Sequence, residues 1–214
     1  MDMDATLKGM NLNKENVLNI IKDIIAIDIN DGVRYEIFSI KDIRLEKKYP
    51  GFKIHLLAYL EDLRTHLMID ITTGDVITLK EIDYEYNAIF DNETINIMSY
   101  NIETIIAEKF EAIISRNVIN SRMKDYYDLY MFTILKWDNV NKNLLKIAIN
   151  NTCNNRKTTN YLNDSSNYIN LISKNEDLKK LWKEYQNKNV YAKNINFEDT
   201  ILAISKINEL LKSD

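Results

Sequence analysis

Two carboxylates lie in a segment that otherwise has the composition of a buried helix. In "INSRMKDYYDLYMF", residues 119–132, Asp125 and Asp128 are three residues apart and therefore share one helix face. Burial of a carboxylate is unfavourable unless it meets a cation or a metal ion. The pair could belong to an ion-pair network, or to an active site in which a carboxylate orients a nucleophile or accepts its proton. Lys124 and Asp128 also have the i,i+4 spacing of a simple helical ion pair.

A lysine lies in the apolar stripe of the preceding helical segment. In "NIETIIAEKFEAIISR", residues 101–116, Lys109 projects between Ile102 and Ile105. Its stem could cover the core while its ammonium reaches water, or the ammonium could neutralise the buried carboxylates or a bound phosphate. Three acidic residues lie off the stripe and are predicted to be solvated: Glu103, Glu108 and Glu111.

Three aspartates are predicted on extended segments, where a period of two decides which side chains share a face. Asp2 and Asp4 alternate in "MDMD", and Asp70 lies opposite the Leu/Ile face of "THLMIDIT". Carboxylates on neighbouring strands could hold Mg²⁺. Alternatively, the first pair belongs to a solvated chain end, and Asp70 belongs to the polar face of an edge strand.

The predicted secondary structure that positions these residues changes from mainly strands to helices along the chain. A capped amphipathic helix at 13–26 precedes four short β-branched segments, which predict an antiparallel or mixed sheet. From residue 101 onward the period is helical, with helices predicted at 101–116, 121–136, 140–150, 175–187 and 197–212. We therefore predict an α+β protein with a sheet domain at 1–100 and a helical domain at 101–214.

Composition excludes several classes of protein. The net charge of -4 and the pI of about 5.4 give no overall basic surface for nucleic acid, so any RNA contact must be local. A single cysteine, Cys153, excludes an internal disulfide and favours a cytoplasmic location, and no apolar run has the length of a membrane span. The four glycines occur singly, so neither a P-loop nor a dinucleotide-binding fingerprint is present.

Four segments resemble, in order and spacing, the signature segments of the AbiEii/AbiGii-type toxin nucleotidyltransferases, the family that includes the MenT toxins. They are "DMDATLKG", "LMIDITTGD", "YNIETIIAEKFEAIISR" and "SRMKDYYDLY". The resemblance implies a DNA polymerase beta-like nucleotidyltransferase core joined to a helical domain. It also implies Mg²⁺-dependent transfer of a nucleotide from an NTP to RNA, for some members the 3′ end of tRNA, and a cognate antitoxin.

The resemblance assigns roles to the residues already singled out. Asp2, Asp4 and Asp70 match the metal-binding aspartates of the family. In the helical half, the resemblance implies that Lys109 binds phosphate and that Arg122 and Lys124 contact triphosphate or RNA. It also implies that Asp125 or Asp128 positions the nucleophile.

One departure from the family pattern bears on activity. Family members carry a glycine-rich turn and a helix upstream of the paired aspartates, whereas here Met1 directly precedes Asp2. We therefore expect an amino-terminally truncated core that lacks its first strand and helix. The alternative to an enzyme is an inactive family member that only binds nucleotide, RNA or antitoxin.

Overall fold

The computed structural model describes residues 2–9, 12–43, 51–88 and 93–213. The chain forms two compact units, Met1–Asp75 and Val76–Asp214. Strands dominate the first unit and helices dominate the second, which confirms the predicted α+β class. The predicted division at residue 100 stays a prediction, and in the structure the strands between residues 82 and 99 group with the helices.

The first unit is a four-stranded mixed sheet with one helix. Its elements are β1 (Asp2–Thr6), α1 (Lys14–Ile25), β2 (Arg34–Ile43), β3 (Gly51–Leu60) and β4 (Leu63–Thr72). The strand order is β1-β4-β3-β2, in which β1 runs parallel to β4 and the other pairs are antiparallel. Helix α1 begins after Asn13, whose side chain accepts a hydrogen bond from the Asn16 backbone N–H at 2.8 Å.

Period-two alternation divides this sheet into an apolar and a polar face. A buried cluster joins α1 to alternate residues of β3 and β4: Val17, Ile21, Phe52, Ile54, Leu56 and Ile71. Leu67 and Ile69 of β4 pack against the same cluster. Asp70 and Lys53 occupy the intervening positions and therefore belong to the opposite face.

The second unit is an assembly of helices with one additional pair of strands. Its elements are β5 (Ile82–Asn87), β6 (Thr94–Ser99), α2 (Ile102–Arg116), α3 (Met123–Leu135), α4 (Lys142–Arg156), α5 (Thr159–Asn163), α6 (Ser165–Ser173), α7 (Glu176–Lys188) and α8 (Phe197–Lys212). Their apolar faces form one large cluster, in which Phe110, Tyr126 and Trp182 are among the largest fully buried side chains. The indole N–H of Trp182 donates to the Ile195 carbonyl at 2.9 Å, which satisfies its one polar atom.

Strands β5 and β6 form a separate antiparallel ribbon whose residues are almost all exposed. The register pairs Tyr84 with Ile97 and Tyr86 with Ile95, so one face of the ribbon is apolar. The other face carries Asp83, Glu85 and Asn96 together with Met98. An isolated two-stranded ribbon is marginal in water, so this pair contributes little to the stability of the unit.

All predicted helices and strands are present, and the structure differs from the prediction in three respects. Strand β5 and helices α5 and α6 were not predicted, and α4 extends to Arg156 rather than ending at residue 150. Helix α3 was predicted to be buried almost all round, but Ile134 and Leu135 at its end are more than 60% exposed. Within the described residues, no helix combines the length and apolarity needed to cross a membrane.

Candidate active site

Two of the predicted metal-binding aspartates are direct neighbours in the sheet of the first unit. Asp4 of β1 pairs in register with Asp70 of β4, and paired residues of adjacent strands share a face. Asp2 pairs with Met68 through its backbone, and its side chain lies outside the described part of the chain. The strand register thus brings two carboxylates together from positions 66 residues apart in the sequence.

A third strand contributes a cation that the sequence did not reveal. Lys53 of β3 is the register partner of Asp70, and its Nζ lies 2.7 Å from Oδ1 and 2.9 Å from Oδ2 of that carboxylate. Both side chains remain about one-third exposed. The alternation of "FKIHLL" places Lys53 on the polar face of β3, but the Asp70 contact depends on strand register, which sequence spacing alone does not fix.

The chemistry of this pair suits a hard divalent cation. Mg²⁺ prefers oxygen ligands, and proteins usually hold it through one or two carboxylates together with substrate phosphates. Asp4 and Asp70 supply such oxygens from adjacent strands. The described residues contain no group of three or more His, Cys, Asp or Glu that would enclose an ion without substrate. The donor set therefore fits a Mg²⁺ ion that is held jointly with substrate phosphates.

The second unit joins the predicted lysine to both predicted helix carboxylates. Lys109 of α2 places its Nζ 3.1 Å from Asp125 Oδ1 and 2.7 Å from Asp128 Oδ2 on α3. Its side chain is 20% exposed, compared with 4% for Asp125 and 14% for Asp128. The ammonium is bound by carboxylates, so Lys109 does not simply extend past the core into water. The ion-pair network that the sequence analysis considered for these three residues is therefore present.

Two further cations complete this network from the start of α3. Arg122 Nε lies 3.2 Å from Asp125 Oδ2, and Lys124 Nζ lies 2.6 Å from Asp128 Oδ2. Both cationic side chains are more than half exposed. These five ion-paired groups carry a net charge of +1, and Arg116 adds a further cation coupled to Arg122 and Asp125. Arg122 and Lys124 are the exposed members of the network. This surface can receive an anion such as a phosphate.

The network also controls the protonation of its central lysine. Burial by itself would lower the pKa of Lys109, but the hydrogen bonds and charges of Asp128 and Asp125 outweigh it and raise the pKa above its usual value. Lys109 is therefore a permanent cation at neutral pH. It can neutralise negative charge, and it cannot act as a neutral base.

Two glutamates that were predicted to be solvated are buried. Glu103 accepts a hydrogen bond from the Asn141 backbone N–H at 2.8 Å, and Glu111 accepts one from Arg156 at 2.6 Å. Both face helix α4, so the buried surface of α2 is wider than its isoleucine stripe. Glu108 is partly buried and also pairs with Arg156, at 2.8 Å. The prediction was wrong because these partners lie at least 38 residues away along the chain.

Comparison with known proteins identifies the family. The family model described as "Nucleotidyl transferase AbiEii toxin, Type IV TA system" matches residues 1–203. The crystal structure of JHP933 from Helicobacter pylori is similar with a TM-score of 0.50 and 15% identity, covering 99% of this chain and 75% of that one. The crystal structure of a "putative nucleotidyltransferase" from H. pylori gives a TM-score of 0.47, also at 15% identity, covering 99% and 77%.

No curated protein sequence gives a significant match. The similarity to JHP933 supports the fold, and the family model supports the nucleotidyltransferase class. The residues matched by that model include every position of the strand and helix sites described above. The chain belongs to the AbiEii nucleotidyltransferase toxins of type IV toxin–antitoxin systems.

Proposed function

We propose that this protein transfers a nucleotide from an NTP to an RNA acceptor, such as the 3′ end of a tRNA, in a Mg²⁺-dependent reaction. The observation that carries the proposal is the direct register pairing of Asp4 with Asp70 on one face of the sheet. Two carboxylates on adjacent strands can share a cation with a triphosphate, which is the arrangement that nucleotidyl transfer requires.

In the first unit, Asp4 and Asp70 would hold Mg²⁺, together with Asp2 as predicted. The bound ion would neutralise the triphosphate and lower the barrier to in-line displacement. Lys53 pairs with the Asp70 carboxylate and holds it at its register position. Its ammonium is also available to phosphate oxygens when a metal ion engages that carboxylate.

In the second unit, the two carboxylates differ enough to receive different roles. Asp125 is almost fully buried and is held by Lys109 and Arg122, so its role is to fix the lysine. Asp128 is more exposed, and it is the better candidate to orient the attacking hydroxyl. Lys109, Arg122 and Lys124 supply the positive charge that receives phosphate.

The test is incorporation of labelled nucleotide from each of the four NTPs into RNA by the purified protein with Mg²⁺. We expect Asp70→Asn to reduce transfer by at least about 100-fold, the size of effect seen when one electrostatic contact to a transition state is lost. Asp83→Asn, on the exposed ribbon strand β5, is the matched control and should transfer normally. Full transfer by Asp70→Asn, or full transfer in a metal chelator, would contradict the proposal.

A second candidate is a family member that binds nucleotide, RNA or its cognate antitoxin without chemistry. The ion pairs favour this second candidate. Each of Asp70, Asp125 and Asp128 has a lysine or arginine within 3.2 Å, and such pairs can be purely structural. It predicts calorimetric binding of an NTP or RNA without any transfer. It also predicts that Asp70→Asn leaves the effect of the protein on bacterial growth unchanged, whereas the enzyme hypothesis predicts that this effect disappears.

A further inference from the structure

Three tyrosines from separate elements of the second unit form an aromatic cluster. Tyr127 lies on α3, Tyr185 on α7, and Tyr191 in the short 3-10 turn Val190–Ala192. The ring centroids of Tyr127 and Tyr191 are 4.8 Å apart, and each ring is 6.3 Å from Tyr185. The spacing is that of interacting aromatic rings, so the three side chains support one another.

Trp182 and hydrogen bonds hold this cluster in place, while Tyr191 stays exposed to solvent. The buried indole of Trp182 stacks on Tyr185 with centroids 5.4 Å apart and planes at 26°. The hydroxyl groups of Tyr185 and Tyr191 are 3.1 Å apart, and Tyr191 donates to Asn189 Oδ1 at 2.9 Å. Tyr191 is nevertheless 56% exposed. An aromatic side chain that is rigidly fixed and still open to solvent can stack on a ligand with little loss of conformational entropy.

The cluster borders the charge network of the candidate active site. Tyr127 directly precedes Asp128 and lies three residues after Lys124, so it shares a helix face with that exposed cation. Burial, followed by the nearby Tyr191 and Asp128, raises the pKa of Tyr127. Its phenol therefore stays neutral. The Tyr127 ring is partly buried against the helical core and supports the exposed ring of Tyr191 beside Lys124.

We propose that Tyr127 and Tyr191 form a stacking platform for an unpaired nucleobase of the RNA acceptor, with Lys124 and Arg122 receiving a flanking phosphate. The proposal rests on the proposed function for the identity of its ligand. Single-stranded RNA is bound by this combination of aromatic faces and cations, because every base has a face that can stack. A protein partner would need a much larger surface than these two rings.

The experiment measures binding of a short single-stranded RNA that carries 2-aminopurine as its 3′-terminal base. Stacking quenches this base, so one titration gives both the affinity and the stacking signal. We expect Tyr191→Ala and Tyr127→Ala each to weaken binding at least about fivefold and to remove the quenching, in line with the loss of one base–aromatic stack. Tyr191→Phe keeps the ring and should retain both signals.

Tyr84→Ala is the control for loss of an exposed tyrosine, because Tyr84 lies on the ribbon strand β5 and is 49% exposed. It should bind and quench like the unmodified protein. Tyr191 is exposed, so its replacement tests the platform even where Tyr127→Ala fails to fold. Unchanged affinity and quenching in Tyr191→Ala would overturn the platform, and so would an absence of RNA binding by the unmodified protein.

Nucleotide transfer measured on the same samples separates this inference from the proposed function. Quenching that requires Tyr191, in a protein that transfers no nucleotide, supports the platform and refutes the enzyme. Transfer that depends on Asp70, with quenching that does not depend on Tyr191, refutes the platform and supports the enzyme.

Discussion

The strand carboxylates of the first unit and the helix carboxylates of the second are held in opposite ways. Asp70 has one lysine partner, both side chains are about one-third exposed, and its register neighbour Asp4 is exposed. Asp125 is 4% exposed and lies between two cations, Lys109 and Arg122. The strand pair can accept a further cation, whereas the helix pair is already compensated within the protein.

This difference separates two uses of a buried or half-buried acid. A partly solvated carboxylate loses little when it exchanges an ammonium for a metal ion. A carboxylate with almost no solvent access depends on its protein partners, and loss of one partner leaves an uncompensated charge. We therefore expect substitutions at the strand site to change metal-dependent behaviour and substitutions at the helix site to change stability as well.

The largest effect on stability is expected for Lys109→Met, which removes the ammonium shared by Asp125 and Asp128. The free energy of unfolding should fall by about 3 kcal/mol, near the lower end for a broken buried ion pair. Urea unfolding followed by tryptophan fluorescence measures it, because both tryptophans, Trp137 and Trp182, lie in the second unit.

Lys179→Met is the matched control for this lysine. Lys179 forms an exposed i,i+3 pair with Glu176 at 2.9 Å, so its replacement should lower the free energy of unfolding far less than that of Lys109. Equal losses for the two lysine variants would show that the helix network is no more than a surface pair.

The next largest effect distinguishes Asp125 from Asp128, which the sequence cannot separate. We expect Asp125→Asn to lower the free energy of unfolding by about 2 kcal/mol, because two cations then lose a buried partner. Asp128→Asn should cost about half as much because its side chain is more exposed. Nucleotide transfer should show the reverse order, with the larger loss in Asp128→Asn. If one variant loses more of both stability and transfer, the division of roles fails.

Alkaline pH should weaken the second unit through groups that it holds in their protonated form. Burial raises the pKa of the Cys153 thiol to about 11, and it also raises the pKa of Tyr126. Between the unfolded and folded thiol pKa values the unfolded chain binds fewer protons, so stability falls as pH rises. Each such group can lower the free energy of unfolding by up to about 1.4 kcal/mol per pH unit in this range.

Urea unfolding at intervals from pH 8 to pH 11, again followed by tryptophan fluorescence, measures this slope. In Cys153→Ala, the plot of the free energy of unfolding against pH should be flatter between pH 9 and pH 11 and should keep its shape at lower pH. A curve of equal steepness in the variant would exclude the thiol as a cause.

Among the variants of the candidate site, the smallest effect on stability is expected for Lys53→Met in the first unit. The Lys53–Asp70 pair is partly exposed, so its loss should cost less than about 1 kcal/mol. Thermal unfolding followed by the amide I infrared band of the sheet measures it, because the four-stranded sheet lies in this unit. A loss as large as that of Lys109→Met would remove the distinction between the two sites.

Local geometry explains which parts of these sites the sequence could predict. The shared face of Asp125 and Asp128, the Lys124–Asp128 pair and the intrusion of Lys109 into an apolar stripe all follow from helical periodicity within one or two segments. The outward direction of Asp70 follows in the same way from a period of two. The four strands predicted from β-branched segments were confirmed for the same reason.

Contacts between distant segments could not be predicted in this way. The Lys53–Asp70 pair depends on the register of β3 against β4, and the Glu111–Arg156 pair joins α2 to α4 across 45 residues. Strand β5 carries Asp83 and Glu85 between its apolar residues and, within the described residues, pairs with β6 alone, so its sequence signal is weak. The stacking platform combines Tyr127 of α3 with Tyr191 of the Val190–Ala192 turn, and neither segment carries a signature of it.

The exposed ribbon of β5 and β6 has a consequence for the dynamics of the second unit. Its cross-strand hydrogen bonds have solvent on both sides, whereas those of α2 and α3 lie against the buried cluster that includes Phe110 and Leu129. Amide hydrogens of the ribbon should therefore exchange with deuterium through local opening, long before those of the helices. The ribbon thus provides an internal reference, against which slower exchange elsewhere in this unit reports cooperative unfolding.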